Sequence, residues 1–335
     1  MNKIQVILKK RETTLFIIIL ALVVFVSLRV PSFFTYENIC NVLKSYTVVG
    51  IFSLGVLLVI ISGGFDVSFT AIAQVSEYIV VWLLLKHIQG NLVIAFFLAI
   101  IAGTLLGLFN GFLIDHYKMP AIIITISTQN LFYGILYVIT KGKLLYEIPS
   151  YLWPLSNAKI LPAIAENGST YGLSTVTVLW LGLSIFLAFI LRKTVIGKSV
   201  YLIGGNAVAA ERVGINIRKT ILFVYGLAGA IAGIAAIAHV SIVQTVIPNS
   251  IVGTEMAVIA AVVLGGASIT GGKGSVLGTF LGVLLFAILS NSLTLLRISS
   301  YWYNVFTGAI ILLSIAVNAL QELAQERRKI RVKVD

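Results

Sequence analysis

Four ionisable side chains fall inside or at the edges of long apolar stretches: Asp66, Glu77, His239 and Glu255. An ionised group costs about 2.5–3.5 kcal/mol at the centre of a spanning helix, so each needs a reason to be there. Glu77 lies well inside its stretch and is expected to face the protein interior or a water-filled path. Asp66 follows Ser62-Gly63-Gly64-Phe65 and starts an apolar run, where a carboxylate caps orphan backbone N–H groups; a place in a path is the alternative. Glu255 lies near a span end, and His239 is expected at an external end, in water. Five amides, Gln74, Asn110, Gln129, Asn130 and Asn291, also sit within apolar stretches. Amides hydrogen-bond hydroxylated solutes such as sugars, and they also join helices to one another. Their number points to a polar cavity. Asp66, Gln74, Glu77, Asn110, Gln129, Asn130 and Asn291 are therefore the candidate lining of a solute path.

Other chemistry finds no support. His87, His116 and His239 are scattered, no Gly-x-Ser-x-Gly occurs, and the single cysteine, Cys40, excludes an internal disulfide. The run from Gly265 to Ser275 is rich in glycine but is no phosphate loop. That motif requires Gly where Ala267 stands and Ser or Thr where Gly274 stands. No catalytic, cofactor or metal residues are assigned, and the chain is not expected to be an enzyme.

The elements that must position these side chains are membrane helices. Hydrophobic types make up 59% of the 335 residues and charged types 11%, against about 45–50% and about 25% in soluble domains. About 20 apolar residues cross the hydrocarbon core. Ten stretches approach this, at 13–30, 47–62, 67–85, 92–114, 120–140, 173–191, 220–240, 252–265, 275–296 and 302–319, the second and eighth being short. With the N-terminus inside, 17 of the 24 Lys and Arg residues fall on the inner side, as the positive-inside rule requires. Both termini are then cytoplasmic, and the net charge of +12 reads as topology rather than as nucleic-acid binding. The first stretch is longer than a signal-peptide core and lacks a small-residue cleavage site, so it is read as a retained helix.

The chain is thus expected to be one transmembrane domain over 1–335. It has a basic N-tail at 1–12, an external loop at 141–172, a cytoplasmic loop at 192–219 and a C-tail at 320–335. Gly103-Thr104-Leu105-Leu106-Gly107 is echoed five spans later by Gly278-Thr279-Phe280-Leu281-Gly282. Halves of five spans have opposite orientation, and inverted repeats are common in transporters. Coincident Gly-x-x-x-Gly packing faces explain the echo equally well. In the cytoplasmic loop Asn206 is a fair N-cap and Gly214 a C′ residue, which predicts a helix of about two turns. So short a helix is unstable alone and is better explained if it docks onto something; lying on the membrane surface is the alternative.

That loop, Thr194-Val195-Ile196-Gly197 through Tyr201, Gly204-Gly205-Asn206, Ala209-Ala210 and Gly214-Ile215, resembles the permease subunits of bacterial ABC importers for ribose, xylose, galactose and the furanone-type autoinducer. Further matches are Ile61 to Ser68, Phe109-Asn110-Gly111, Pro120 to Thr125, Glu255 to Gly266, Gly271 to Ser275, and Ser300-Tyr301-Trp302. The resemblance implies an all-α polytopic permease of the vitamin-B12-importer type, in the bacterial plasma (inner) membrane. It implies a pair of permeases, identical or related, forming the path for a monosaccharide or similar solute. Cytoplasmic ATPases carry ATP and Mg, and an extracytoplasmic binding protein delivers the solute. It implies that Gly204, Gly205, Asn206, Ala209, Ala210, Glu211, Arg212 and Gly214 form the coupling helix that contacts the ATPase. The family usually has Val-Gly after Asp66-Val67-Ser68, where this chain has Phe69-Thr70, so a particular sugar does not follow. An ion-coupled secondary transporter using Asp66 or Glu77 is the alternative.

Overall fold

The computed structural model describes residues 11–164, 168, 170–299, 301–310 and 312, and it is helical almost throughout. Among the described residues seven helices are long and apolar enough to cross a membrane. They are α1 (Arg11–Arg29), α4 (Phe69–Lys86), α5 (Leu92–Tyr117), α6 (Ala121–Thr140), α8 (Thr175–Lys193), α11 (Ile217–Val243) and α13 (Val276–Leu295). Two helices, α2 (Tyr36–Ser45) and α3 (Thr47–Ile61), are together apolar and long enough for a further crossing and are bent by 49° at Tyr46, the form of a broken span or a re-entrant loop. Shorter helices are α7 (Trp153–Asn157), α9 (Val195–Gly205), α10 (Ala207–Arg212) and α12 (Glu255–Leu264). Residues 301–310 form α14, where the tenth expected stretch begins; most of the rest of that stretch, the C-tail at 320–335 and most of the N-tail lie outside the described residues.

The helices sort by what surrounds them. All of α3 except Val48 and Val49 is buried, so it is apolar all round because protein encloses it. Around it pack α8, α11, α12 and α13. By contrast α1, α5, α6 and α8 expose Phe16, Phe97, Ile135 and Phe189, as lipid-facing helices do. Small residues let α5 and α11 approach closely: a Cβ on Gly103 would stand 2.1 Å from the Gly229 carbonyl oxygen, and one on Gly229 equally near that of Gly103. In α13 the echoing glycines meet α12 instead, a Cβ on Gly278 falling 2.0 Å from the Gly265 oxygen. The two Gly-Thr-x-Leu-Gly runs therefore share close backbone approach, while their partners are not related by a five-span offset.

The loop at 141–172 is folded. A 3-10 turn (Ser150–Leu152) leads into α7, then into the antiparallel strands β1 (Lys159–Ile164) and β2 (Thr170–Ser174). This hairpin departs from the purely helical expectation. Pro162, which argues against a strand in the sequence, lies at the irregularity in register between Ile160 and Ala163, where proline is tolerated. The cap is tied down by hydrogen bonds from Ser156 Oγ to Ser241 O (2.6 Å) and from Tyr36 Oη to Leu161 O (3.0 Å).

Between α11 and α12 the chain is not helical for most of its length. Gln244 ends α11 in a left-handed conformation, Leu145 and Val246 form an isolated bridge, and α12 starts only at Glu255. Glu255 meets Thr70 in the first turn of α4, whereas Leu145 lies beyond the end of α6. Residues 246–255 therefore run from a membrane face into the protein core alongside α4. Of the span expected at 252–265 only Glu255–Leu264 is helical, a half-length helix reached through a connection of turns and bends over 244–254.

Candidate functional site

The polar side chains converge on one helix. Thr70, Gln74 and Glu77 are spaced four and three residues apart, which places them on one face of α4 over about 10 Å; all three are fully buried. Asp66 precedes them in the break between α3 and α4. Thr70, Gln74 and Glu77 each have a partner more than 150 positions away, so the stripe is a seam along which the fold closes.

At its beginning, Asp66 Oδ1 accepts from Ser68 N (2.7 Å) and Ser68 Oγ (2.6 Å), and Asn110 Nδ2 of α5 donates to Ser68 Oγ (2.7 Å). Asp66 is thus not the helix N-cap; Ser68 holds that position, and the carboxylate organises the turn before it. Next, Glu255 at the start of α12 accepts from Thr70 Oγ1, from Gln129 Nε2 of α6 (2.6 Å) and from Gly253 N (3.0 Å). One carboxylate joins α4, α6 and α12, at the N-terminal end of a helix where negative charge is favoured. One turn on, Gln74 Oε1 accepts from Ile251 N (3.0 Å) and Ser250 Oγ (3.5 Å), holding the non-helical segment against α4. Last, Glu77 Oε2 pairs with His239 Nδ1 of α11 at 2.7 Å, the histidine side chain being 14% exposed. His239 is therefore inside the protein and paired rather than solvated, which corrects the expectation for it.

Three atoms of this stripe, Gln74 Nε2, Glu77 Oε1 and Asn110 Oδ1, are buried with no hydrogen-bond partner among the described residues. Buried polar atoms with spare capacity mark places where water or a polar solute is accommodated. Two candidates lie elsewhere. Asn130 is exposed on α6 and bonds its own helix at Ile126 O (2.8 Å). Asn291 exchanges two 3.0 Å bonds with Asn38, joining α13 to α2. The roles of Thr70, Ser68 and Ser250 were missed, although the 70/74/77 spacing was there to be read. Among the described residues no group of three His, Cys, Asp or Glu side chains is placed to hold a metal ion.

At the other end, α10 forms where expected. Asn206 Oδ1 caps Ala209 N (2.9 Å). Gly214, at φ 87°, closes the helix, its N–H bonding Glu211 O while Ile215 N bonds Ala210 O, the paired bonds of a Schellman ending. Ala210 is buried against the protein, whereas Ala209, Glu211 and Arg212 are exposed, as are Val208 and Val213 at 60% and 73%. The preceding helix α9 was not foreseen. Its end sits in a junction of backbones: a Cβ on Gly204 would lie 1.9 Å from Ile61 O, and Gly272 N donates to that same oxygen (2.8 Å). Tyr201 Oη donates to Gly274 O (2.9 Å), and burial pushes its phenol above the ordinary value, with Arg192 opposing. The glycines at 204, 271 and 272 thus bring α10's support, the α3–α4 break and the α12–α13 connection together.

Residues 38–315, which contain the stripe and α10, match the permease family described as "Branched-chain amino acid transport system / permease component". The chain belongs to this family. It is 34% identical to the ribose import permease protein of Haemophilus influenzae, over 91% of this chain and 92% of that one. It is 33% identical to the ribose import permease protein of Bacillus subtilis, over 89% of each. It is 31% identical to the autoinducer 2 import system permease protein of an Enterobacter strain, over 93% of this chain and 88% of that one. No solved structure matches the chain at a significant level. As a polytopic helical permease it is not itself an enzyme.

Proposed function

We propose that this chain is the permease subunit of an ABC importer for a sugar-like solute, and that the buried stripe of α4 lines its path. The observation that carries the reading is the stripe itself, with hydroxyl, amide and carboxylate groups at helical spacing and unused hydrogen-bonding capacity at Gln74, Glu77 and Asn110. The relatives matched along nearly their whole length are named for ribose and autoinducer 2 import, which favours a hydroxylated solute over an amino acid. The non-helical segment 246–254 is the movable part of the path. The Gln74 side chain holds its Ser250 and Ile251, and Glu255, just after it, is held by Thr70 and Gln129.

The exposed face of α10, centred on Val208, Ala209, Glu211 and Arg212, docks the ATPase, which holds ATP and Mg. Ala210 anchors the helix from the inside. Motion then passes through the glycine junction to the α3–α4 break and the α12–α13 connection. The folded cap at 141–174 faces the extracytoplasmic binding protein, and a second permease completes the path. On this proposal ten crossings with both ends cytoplasmic comprise the seven long helices and the bent pair, the stretch 244–264, and a span that starts with 301–310. An inverted repeat of five and five is supported by two helix pairs of the core. In α3–α4 and in α11–α12 a non-helical connection leads to an acidic residue near a helix start, and the two connections lie on opposite sides of the membrane on this topology.

The ion-coupled alternative rests on Asp66 and Glu77, and the structure gives both carboxylates protein partners. Reconstitution with the ATPase and binding protein tests the choice. Ribose uptake that requires ATP supports the proposal; ribose moved by the chain alone down a proton or sodium gradient refutes it.

A further inference from the structure

A different face of α4 lines a cleft of about 630 Å³ between α4 and α6, with Leu106 of α5 in its wall. Val75, Ile79, Trp82 and Ile135 make it strongly apolar. Lys86, at the end of α4, and Lys143, just after α6, also line it, and neither has a carboxylate partner within ion-pair distance among the described residues. From Val75 to Lys86 is about 16 Å of helix, half of the roughly 30 Å hydrocarbon core. The cleft is therefore one leaflet deep, greasy along its length and cationic at its mouth. On the orientation proposed above it opens to the external leaflet, where membrane proteins carry few Lys and Arg residues.

We infer that this cleft is a binding site for an anionic phospholipid, with an acyl chain along α4 and α6 and the headgroup between Lys86 and Lys143. A hydroxylated solute fits poorly, because apolar walls offer little to replace its hydration. An acyl chain gives up no hydrogen bonds on entering. Charge complementarity selects among lipids: two cations at a headgroup are together worth about a thirty-fold preference for an anionic lipid.

The test uses the assembled importer in mixed micelles of phosphatidylglycerol and phosphatidylcholine, with lipid retained per permease counted by native mass spectrometry. Phosphatidylglycerol should be retained about thirty-fold over phosphatidylcholine. The preference should vanish in Lys86→Gln/Lys143→Gln, which alters only exposed side chains and leaves the fold intact. Ile135→Trp, which fills the cleft, should lose both lipids. Equal retention of the two lipids, or a preference that survives the double lysine variant, overturns the assignment. Displacement by glycerol phosphate, the headgroup without chains, would make the site a simple anion site and also overturn it. So would dissociation of the permease pair by Ile135→Trp, which would make the cleft a subunit interface. Each readout is independent of transport, so failure here is distinguishable from failure of the proposed function.

Discussion

Glu255→Gln is the sharpest probe of the path. The side chain keeps its shape and loses its charge. Three donors, Thr70 Oγ1, Gln129 Nε2 and Gly253 N, bond the carboxylate. Bonds to a charged acceptor contribute roughly 1.5–3 kcal/mol and neutral ones about 0.5–1.5, while bonds between membrane helices average near 0.6. Two of these bonds, from Thr70 and Gln129, reach α4 and α6, and weakening each by about 0.7 removes about 1.4 kcal/mol from the tether of α12. If segment 246–254 is the movable part of the path, its open population rises about tenfold. The assay is passive efflux of labelled ribose from proteoliposomes holding the importer without ATP. Efflux should rise by an order of magnitude in Glu255→Gln, with the complex still assembled and its Tm within a few degrees of the parent. Gln74→Ala, which frees Ile251 N, should act in the same direction. Unchanged efflux in both variants would show that the segment is a fixed part of the wall.

Four further outcomes follow from the same contacts. His239→Phe leaves Glu77 buried without its partner and should cost about 3–5 kcal/mol, read as lost yield and Tm; Glu77→Leu/His239→Phe should recover most of it, and equal losses would deny the pair a structural role. Gly229→Leu forces atoms into the Gly103 carbonyl, where even a Cβ lies at 2.1 Å, and should abolish recovery of folded protein, whereas Gly134→Leu, with nothing within 4 Å of its Cβ, should be tolerated. Val208→Asp should weaken ATPase co-purification about tenfold, the equivalent of one buried valine, while Gly214→Val should fray α10 through strain at φ 87° and raise ATP hydrolysed per ribose transported. Asn291→Ala should leave uptake within about twofold of the parent, because its partner is Asn38 and not the stripe.

Much of this protein was legible without coordinates. A polytopic membrane chain follows from composition because an apolar surface needs lipid. The ends of α10 were readable because caps are local: Asn206 reaches only to Ala209, and Gly214 only to Glu211. A polar stripe on α4 was also written in the 70/74/77 spacing. What only the tertiary structure decided is which polar groups meet. Glu77 finds His239 across 162 positions, and Asn38 finds Asn291 across 253. Two amides with equal claims on the path, Gln129 and Asn291, were separated by packing alone. A connection between the spans at 220–240 and 252–265 was expected, but its course was not: the Ile251 N–H is satisfied by the Gln74 side chain, which lays the connection alongside α4. Local hydrogen bonds are set by neighbours along the chain and can be read from it. Buried long-range ones are set by which helices pack together, and that is a property of the fold.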